Sequence, residues 1–145
     1  MTSQILKLEL GKADYNFQGG RTLTQIHTEE VKDFPKIDKN AEIIIETHST
    51  DDTDKLVKAI LPEIGEVKKI IHQREPEKIH YKTYIFGSYL CVLIKGGYGS
   101  GYKGTGPIAF KELLEHLGVP STVANNAAHF EGKGTNKYHM EIILD

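Results

Sequence analysis

The stretch Tyr89-Leu90-Cys91-Val92-Leu93-Ile94-Lys95 leads into Gly96-Gly97-Tyr98-Gly99-Ser100-Gly101-Tyr102-Lys103-Gly104-Thr105-Gly106, and Pro107-Ile108-Ala109-Phe110 follows. An apolar strand thus enters a run that holds six of the fourteen glycines, and a helix opened by Pro107 leaves it. Proline suits the first helical turn because it lacks the N–H that would be unpaired there. A glycine loop between a strand and a helix start is one way to build an anion site. Glycine lets the backbone turn N–H groups toward a ligand and approach it closely. The helix start adds unpaired donors and about half a positive charge. Gly96, Gly97, Gly99, Ser100, Gly101, Gly104, Thr105 and Gly106 are therefore candidate ligand-binding positions.

Outward from this run, residues 80–86 and 89–95 are rich in β-branched and aromatic residues, with Gly87-Ser88 between them. That pattern predicts a hairpin. Downstream, residues 107–117 read as a helix ended by Gly118, with Pro120 beyond. Residues 121–129 read as a second short helix, 132–136 as a loop and 137–144 as a closing strand. Upstream, residues 66–73 predict a strand and 74–78, which hold Pro76, a turn. Thr50 reads as the N-cap of a helix with Asp51, Asp52 and Asp54 in its first turn, ending near Pro62 and Gly65. Residues 41–47 predict a central strand, after turn chemistry at Asp38-Lys39-Asn40. Leu23, Ile26, Glu30 and Phe34 are spaced as on a helix over residues 21–34. Residues 4–10 alternate as a half-buried strand, and Tyr15 to Phe17 pairs back onto it across Gly11. The sum is an α+β fold: a single domain over residues 1–145, with a largely antiparallel sheet and helices packed on it.

The 145 residues are 39% hydrophobic and 26% charged, with a formal net charge of −2. A general DNA or RNA binder carries a basic excess, which is lacking here. No apolar stretch approaches the roughly 20 residues of a membrane span. The single cysteine, Cys91, lies in an apolar strand and leaves no intrachain disulfide to form. That fits a reducing cytosol. The N-terminus lacks the basic-then-apolar pattern of a signal peptide.

Gly99-Ser100-Gly101-Tyr102-Lys103-Gly104 matches G-x-G-x-x-G. However, the helix opens after the motif, and no strand ends in an acid about 20 residues on, as a dinucleotide fingerprint requires. A phosphate-binding P-loop needs Lys and Ser/Thr after its last glycine, and no Lys lies between Gly104 and Thr105. Tyr98 and Tyr102 stand inside the loop with no evident core to join, so they are candidates to stack on a base. Phe17, Phe86 and Tyr89 are candidates to complete that pocket, and Arg21, Lys95 and Lys103 to pair with phosphate. Gly19-Gly20-Arg21 forms a second, smaller anion motif. His129 and Asn125-Asn126 are further candidates on the far side.

His48-Ser49-Thr50 matches the H-x-T motif of two-histidine phosphodiesterases. That chemistry needs two such motifs facing each other, one giving a proton and one taking it. None of the other six histidines is followed two places on by Ser or Thr. No metal-ligand spacing and no activated nucleophile stand out. A binder is expected rather than an enzyme, with no cofactor and no metal. The alternatives are a nucleotide-cleaving phosphodiesterase using His48, and a module whose glycine loop contacts a protein.

Tyr84-Ile85-Phe86-Gly87-Ser88-Tyr89-Leu90-Cys91-Val92-Leu93-Ile94, followed by Gly99-Ser100-Gly101-Tyr102-Lys103-Gly104-Thr105-Gly106-Pro107, resembles the first type of viral Thoeris anti-defence protein. So do Leu8-Glu9-Leu10-Gly11-Lys12 with Tyr15 and Gly19-Gly20, and the junction Leu61-Pro62-Glu63-Ile64-Gly65. The resemblance implies a phage or prophage protein acting in the host bacterial cytosol. Members of that family sequester a cyclic ADP-ribose immune signal (glycocyclic ADP-ribose) without cleaving it. It also implies a homo-oligomer, dimer or hexamer, with pockets between subunits, and extends the partners to cyclic oligonucleotides at a second site. Phe86 and the loop from Gly96 to Pro107 are the positions that carry over. A sponge needs preorganised contacts rather than an acid and a base.

Overall fold

A computed structural model describes residues 5–9, 23–37, 39–132 and 136–144, with side chains from residue 25 onward. The elements run β1 (Ile5–Glu9), β2 (Leu23–Val31), β3 (Ile43–Glu46), α1 (Thr50–Ile60), β4 (Val67–Glu75), β5 (His80–Gly87), β6 (Cys91–Lys95), α2 (Thr105–His116), α3 (Ser121–His129) and β7 (Lys137–Leu144). They form an α+β fold whose single sheet has the order β1-β2-β7-β4-β5-β6-β3. Every pairing is antiparallel except β3 on β6.

One face of the sheet carries the core. Ile26, Ile70, Ile85, Val92, Ile94, Met140 and Ile142 meet Val57 of α1, Phe110, Leu113 and Leu114 of α2, and Val123, Ala124, Ala127 and Ala128 of α3. Phe110, Leu113, Leu114 and Leu117 recur at helical spacing, so α2 presents one apolar stripe to the sheet. Gly118, at φ +104°, ends that helix in the left-handed region that glycine adopts without penalty. The short side chains of α3 let it pack closely beside α2. Pro35, Lys36, Ile37 and Lys39 lie on the opposite face of the sheet near Lys69, Ile71 and Phe86.

Three expectations are corrected. Residues 23–31 form a strand, not a helix. Ile26, Thr28 and Glu30 all point to the core face and are buried, so the inward set is partly polar and masks the period of two. Glu30 is satisfied there by Asn136 Nδ2, which donates to its carboxylate. Strand β3 lies at the sheet edge rather than the centre: Ile45 is buried, but Ile44 is 58% exposed. The N-cap of α1 is Ser49, whose Oγ accepts from Asp52 N at 3.1 Å, and Thr50 is already helical. The expected pairing of Tyr15 to Phe17, the Gly11 turn, Asp38 and the Gly19-Gly20-Arg21 motif lie outside the described residues.

Candidate functional site

The glycine loop leaves β6 at the carboxyl end of the parallel β3–β6 pair, where α1 also begins. Gly96 N donates to Tyr81 O at 2.8 Å, and Tyr98 N donates to Gly96 O at 2.8 Å, closing a three-residue turn around Gly97 at φ +74°. Thr50 Oγ1 donates to Gly97 O at 2.8 Å. Thus His48-Ser49-Thr50 opens a helix and anchors the loop, with Ser49 and Thr50 both engaged in the chain's own bonds. Further on, Gly101 N donates to Ala128 O at 2.8 Å and fastens the loop to α3.

Most of the loop glycines make room for the protein's own side chains. A Cβ at Gly97 would meet Thr53, and one at Gly101 would meet Arg74 Nη1. Cβ atoms at Gly99, Gly104 and Gly106 would all run into the Tyr102 ring. Gly96, at φ +73°, has nothing within 4 Å of its Cβ position.

Tyr98 corrects the expectation of a free ring. It is fully buried in the core, and its hydroxyl donates to Asp54 Oδ1 at 2.7 Å. Ser100 is also buried, with Oγ 2.9 Å from His72 Nε2. His72 Nδ1 faces Thr83 Oγ1 at 2.8 Å. Burial, reinforced by the Arg74 charge, pushes the His72 pKa down to about 3, so the ring is neutral. Arg74 lies against the rings of Phe130 and Tyr138, which meet edge to face, and is 3% exposed. Its Nη1 donates to Phe130 O at 2.6 Å and its Nη2 to Glu131 O at 3.3 Å, while Nε has no hydrogen-bond partner. No carboxylate of the described residues forms an ion pair with it.

A concave space of about 380 Å³ opens beside Gly96, within the roughly 300–1,000 Å³ range of small-molecule sites. Its walls are Glu46 and Thr47 at the end of β3, Lys95 and Gly96 at the end of β6, and Ile79 to Lys82 at the start of β5. Lys82 and Lys95 stand directly opposite each other across the β5–β6 ladder. Like charges so placed repel, and an anion between them removes the repulsion. Glu46 is the acid in the lining. Ile79, 79% exposed at the rim, has φ +54°. A β-branched residue pays for that conformation, and such strain gathers at binding sites. The Tyr81 ring turns to the other, helix-covered face of the sheet, where its centroid is 6.0 Å from that of Tyr102, tilted by 50°. Beyond Tyr102, α2 begins at Gly104 with no side-chain cap and no acid in its first turn, so its positive end is uncompensated.

A larger space of about 520 Å³ lies where α1 and α2 end, near Leu61 and Leu117. Helix carboxyl ends carry negative partial charge, which disfavours a phosphate there.

The structure does not bring all the expected site residues together. Lys95 and Gly96 border the cavity; Tyr102 lies beside Tyr81 on the helix-covered face, and Lys103 and Thr105 are exposed. Phe86 sits five residues along β5 from Tyr81, about 16 Å away at strand spacing. There it stacks on Tyr84, with Lys69 Nζ 5.0 Å from its ring centroid. Tyr89 is 76% exposed in the β5–β6 turn, at the opposite end of β6 from Gly96. His129 and Asn125 are tied to each other within α3, through His129 Nδ1 and Asn125 O at 3.1 Å. Phe17 and Arg21 lie outside the described residues. Sequence reasoning missed Lys82, His80, Tyr81 and Arg74. Lys82 was masked by the register: the Gly87-Ser88 turn read from the sequence pairs it with Leu93, whereas the observed turn is Ser88-Tyr89, with Gly87 N donating to Leu90 O at 2.9 Å, and Lys82 meets Lys95.

Among the described residues, no group of acids, histidines and cysteines is placed to hold a metal ion, and no helix is long and apolar enough to cross a membrane. No family model, curated protein or solved structure matches the chain.

Proposed function

We propose that the protein binds a phosphate-bearing nucleotide of the cyclic ADP-ribose class in the cavity beside Gly96 and holds it intact, as a sponge for an immune signal. The carrying observation is the pair Lys82 and Lys95, which face each other across the β5–β6 ladder in that cavity and form no ion pair with any described residue. A pyrophosphate supplies the charge that two adjacent ammonium groups require. The open Gly96 backbone at the rim leaves room for the ligand to approach. The resemblance to viral Thoeris anti-defence proteins supplies the rest of the proposal: a glycocyclic ADP-ribose signal, action in a bacterial cytosol, and a homo-oligomeric state.

The test is recovery of ligand. The protein is mixed with cyclic ADP-ribose isomers, freed of unbound ligand, heat-denatured, and the released material is analysed. Intact ligand in proportion to protein, lost in Lys95→Glu, is the expected result. A changed product would instead make the protein an enzyme, and no recovered ligand would overturn the nucleotide reading.

A further inference from the structure

We infer that Gln73 reads the base of the bound nucleotide, its side-chain oxygen accepting from an exocyclic amine while His139 and Glu141 hold the amide in that orientation. The inference rests on the nucleotide reading above and goes further, by naming the residue that selects an amino-bearing base and what sets its direction.

His139, Gln73, Lys82 and Lys95 form one row across β7, β4, β5 and β6. His139 pairs with Gln73, Gln73 with Lys82 and Lys82 with Lys95. Side chains paired in this way share a face of the sheet, with neighbouring Cβ atoms about 4.5–5.5 Å apart. Gln73 is therefore the next side chain after the lysine pair, on the face that the lysines share. A space of about 120 Å³ opens there, walled by Gln73, Glu75, Phe34, His80 and Lys82. His80 and Lys82 also wall the cavity beside Gly96, so the two spaces adjoin. A nucleotide whose phosphates lie between the lysines can place its base in the adjoining space. Phe34 supplies an apolar wall for a flat ring. Glu75 keeps Lys78 at 3.7 Å and Lys137 at 3.8 Å, so cations of the chain meet its charge.

Gln73 is 6% exposed, and its amide has a set direction. His139 Nε2 lies 3.1 Å from Glu141 Oε2, and His139 Nδ1 lies 3.2 Å from Gln73 Nε2. A carboxylate only accepts, so the N–H of the neutral imidazole is on Nε2 and Nδ1 is a bare acceptor. Gln73 Nε2 donates to that nitrogen, which turns Oε1 the other way. Oε1 has no hydrogen-bond partner among the described residues. It is not sealed either, because Arg74 Nε is the one side-chain atom among them that is both sealed and unpartnered. A buried amide thus shows an unused acceptor to the space beside the lysines. Such an acceptor pairs with an amino group and opposes a carbonyl.

Affinity is measured by calorimetry for two ligands. One is glycocyclic ADP-ribose, whose ribose-to-ribose linkage leaves the adenine amine free. The other is its hypoxanthine counterpart, which carries a carbonyl in place of the amine. The wild type is expected to bind the adenine form roughly 10- to 100-fold more tightly. Gln73→Met keeps the length of the side chain and removes the acceptor, and is expected to bind both forms equally. His139→Phe is expected to lose the preference as well, since the amide is then free to turn, and to change nothing further in the Gln73→Met background. Equal or reversed affinities in the wild type, or a preference that survives Gln73→Met, would overturn the role of Gln73 and leave the nucleotide reading intact. A preference retained by His139→Phe would overturn the orienting role of His139. Binding of neither form by the wild type would remove the nucleotide reading, and the base reading with it. Each protein is scored by the ratio of two affinities, so a uniform weakening from altered packing leaves the readout unmoved, and the wild-type ratio needs no variant at all.

Discussion

His72 Nε2 and Ser100 Oγ lie 2.9 Å apart, and through them a buried imidazole of β4 holds the middle of the glycine loop against the sheet. Both ring nitrogens face hydroxyls, which can donate or accept, so neutral His72 satisfies both contacts with one N–H and one bare nitrogen.

Acid should therefore loosen the loop. The folded His72 pKa is about 3, against roughly 6.5 in the unfolded chain. Between those values the unfolded state binds more protons. The contribution is fully present above pH 6.5 and is lost as pH falls toward 3. The slope reaches at most about 1.4 kcal/mol per pH unit. Glu42 and Glu115 are held below their ordinary 4.5 by hydrogen bonds from Cys91 N and Ser121, so their losses come only at lower pH. Denaturation midpoints measured from pH 4.5 to 6.5 should rise with pH in the wild type and flatten in His72→Gln.

Gly101→Ala should be costlier than Gly96→Ala, though both glycines have positive φ. At Gly96 the new methyl meets open space, and the backbone cost is about 1–2 kcal/mol. At Gly101 it also drives into the Arg74 guanidinium, which holds Phe130 O and Glu131 O. A total loss of about 2–4 kcal/mol is expected, read from urea midpoints. Gly101→Asp is for the same reason a test of the fold: its carboxylate would face Arg74 rather than a ligand.

Tyr98→Phe should destabilise the protein without affecting binding. It removes the bond to Asp54, which keeps Lys58 Nζ at 2.9 Å. A loss of about 1–3 kcal/mol is expected for a buried bond to a charged acceptor. Equal nucleotide affinity in wild type and Tyr98→Phe, measured by calorimetry, would match its place in the core.

Lys95→Met should raise the melting temperature slightly while abolishing nucleotide binding. In the free protein it relieves the repulsion of Lys82 directly opposite. Added nucleotide should raise the melting temperature of the wild type and leave that of the variant unchanged.

How far the fold could be read depended on how purely each element shows its period. Residues 121–129 and 137–144 were legible to their ends, since Pro120 precedes the helix and Met140, Ile142 and Leu144 alternate inward along the strand. Residues 23–31 were not, because two of their inward positions are Thr28 and Glu30. A buried acid becomes acceptable only when a partner such as Asn136 arrives from more than a hundred residues away. The Ile43–Ile45 run reads as buried on both faces, yet its place at the edge follows from strand order, which local pattern does not encode.

The candidate site divides in the same way. The sequence alone determined that a strand, a glycine loop and a helix follow one another, and that β5 and β6 pair as a hairpin. These are local facts, set by backbone freedom and turn chemistry. Only the tertiary structure decided what each glycine is for. Gly97 admits Thr53, Gly101 admits Arg74, and Gly99, Gly104 and Gly106 admit Tyr102, while Gly96 opens on the cavity. A missing Cβ shows that something comes close. Which atom comes close is settled by long-range packing of α1, β4 and the loop, and that is a property of the folded chain.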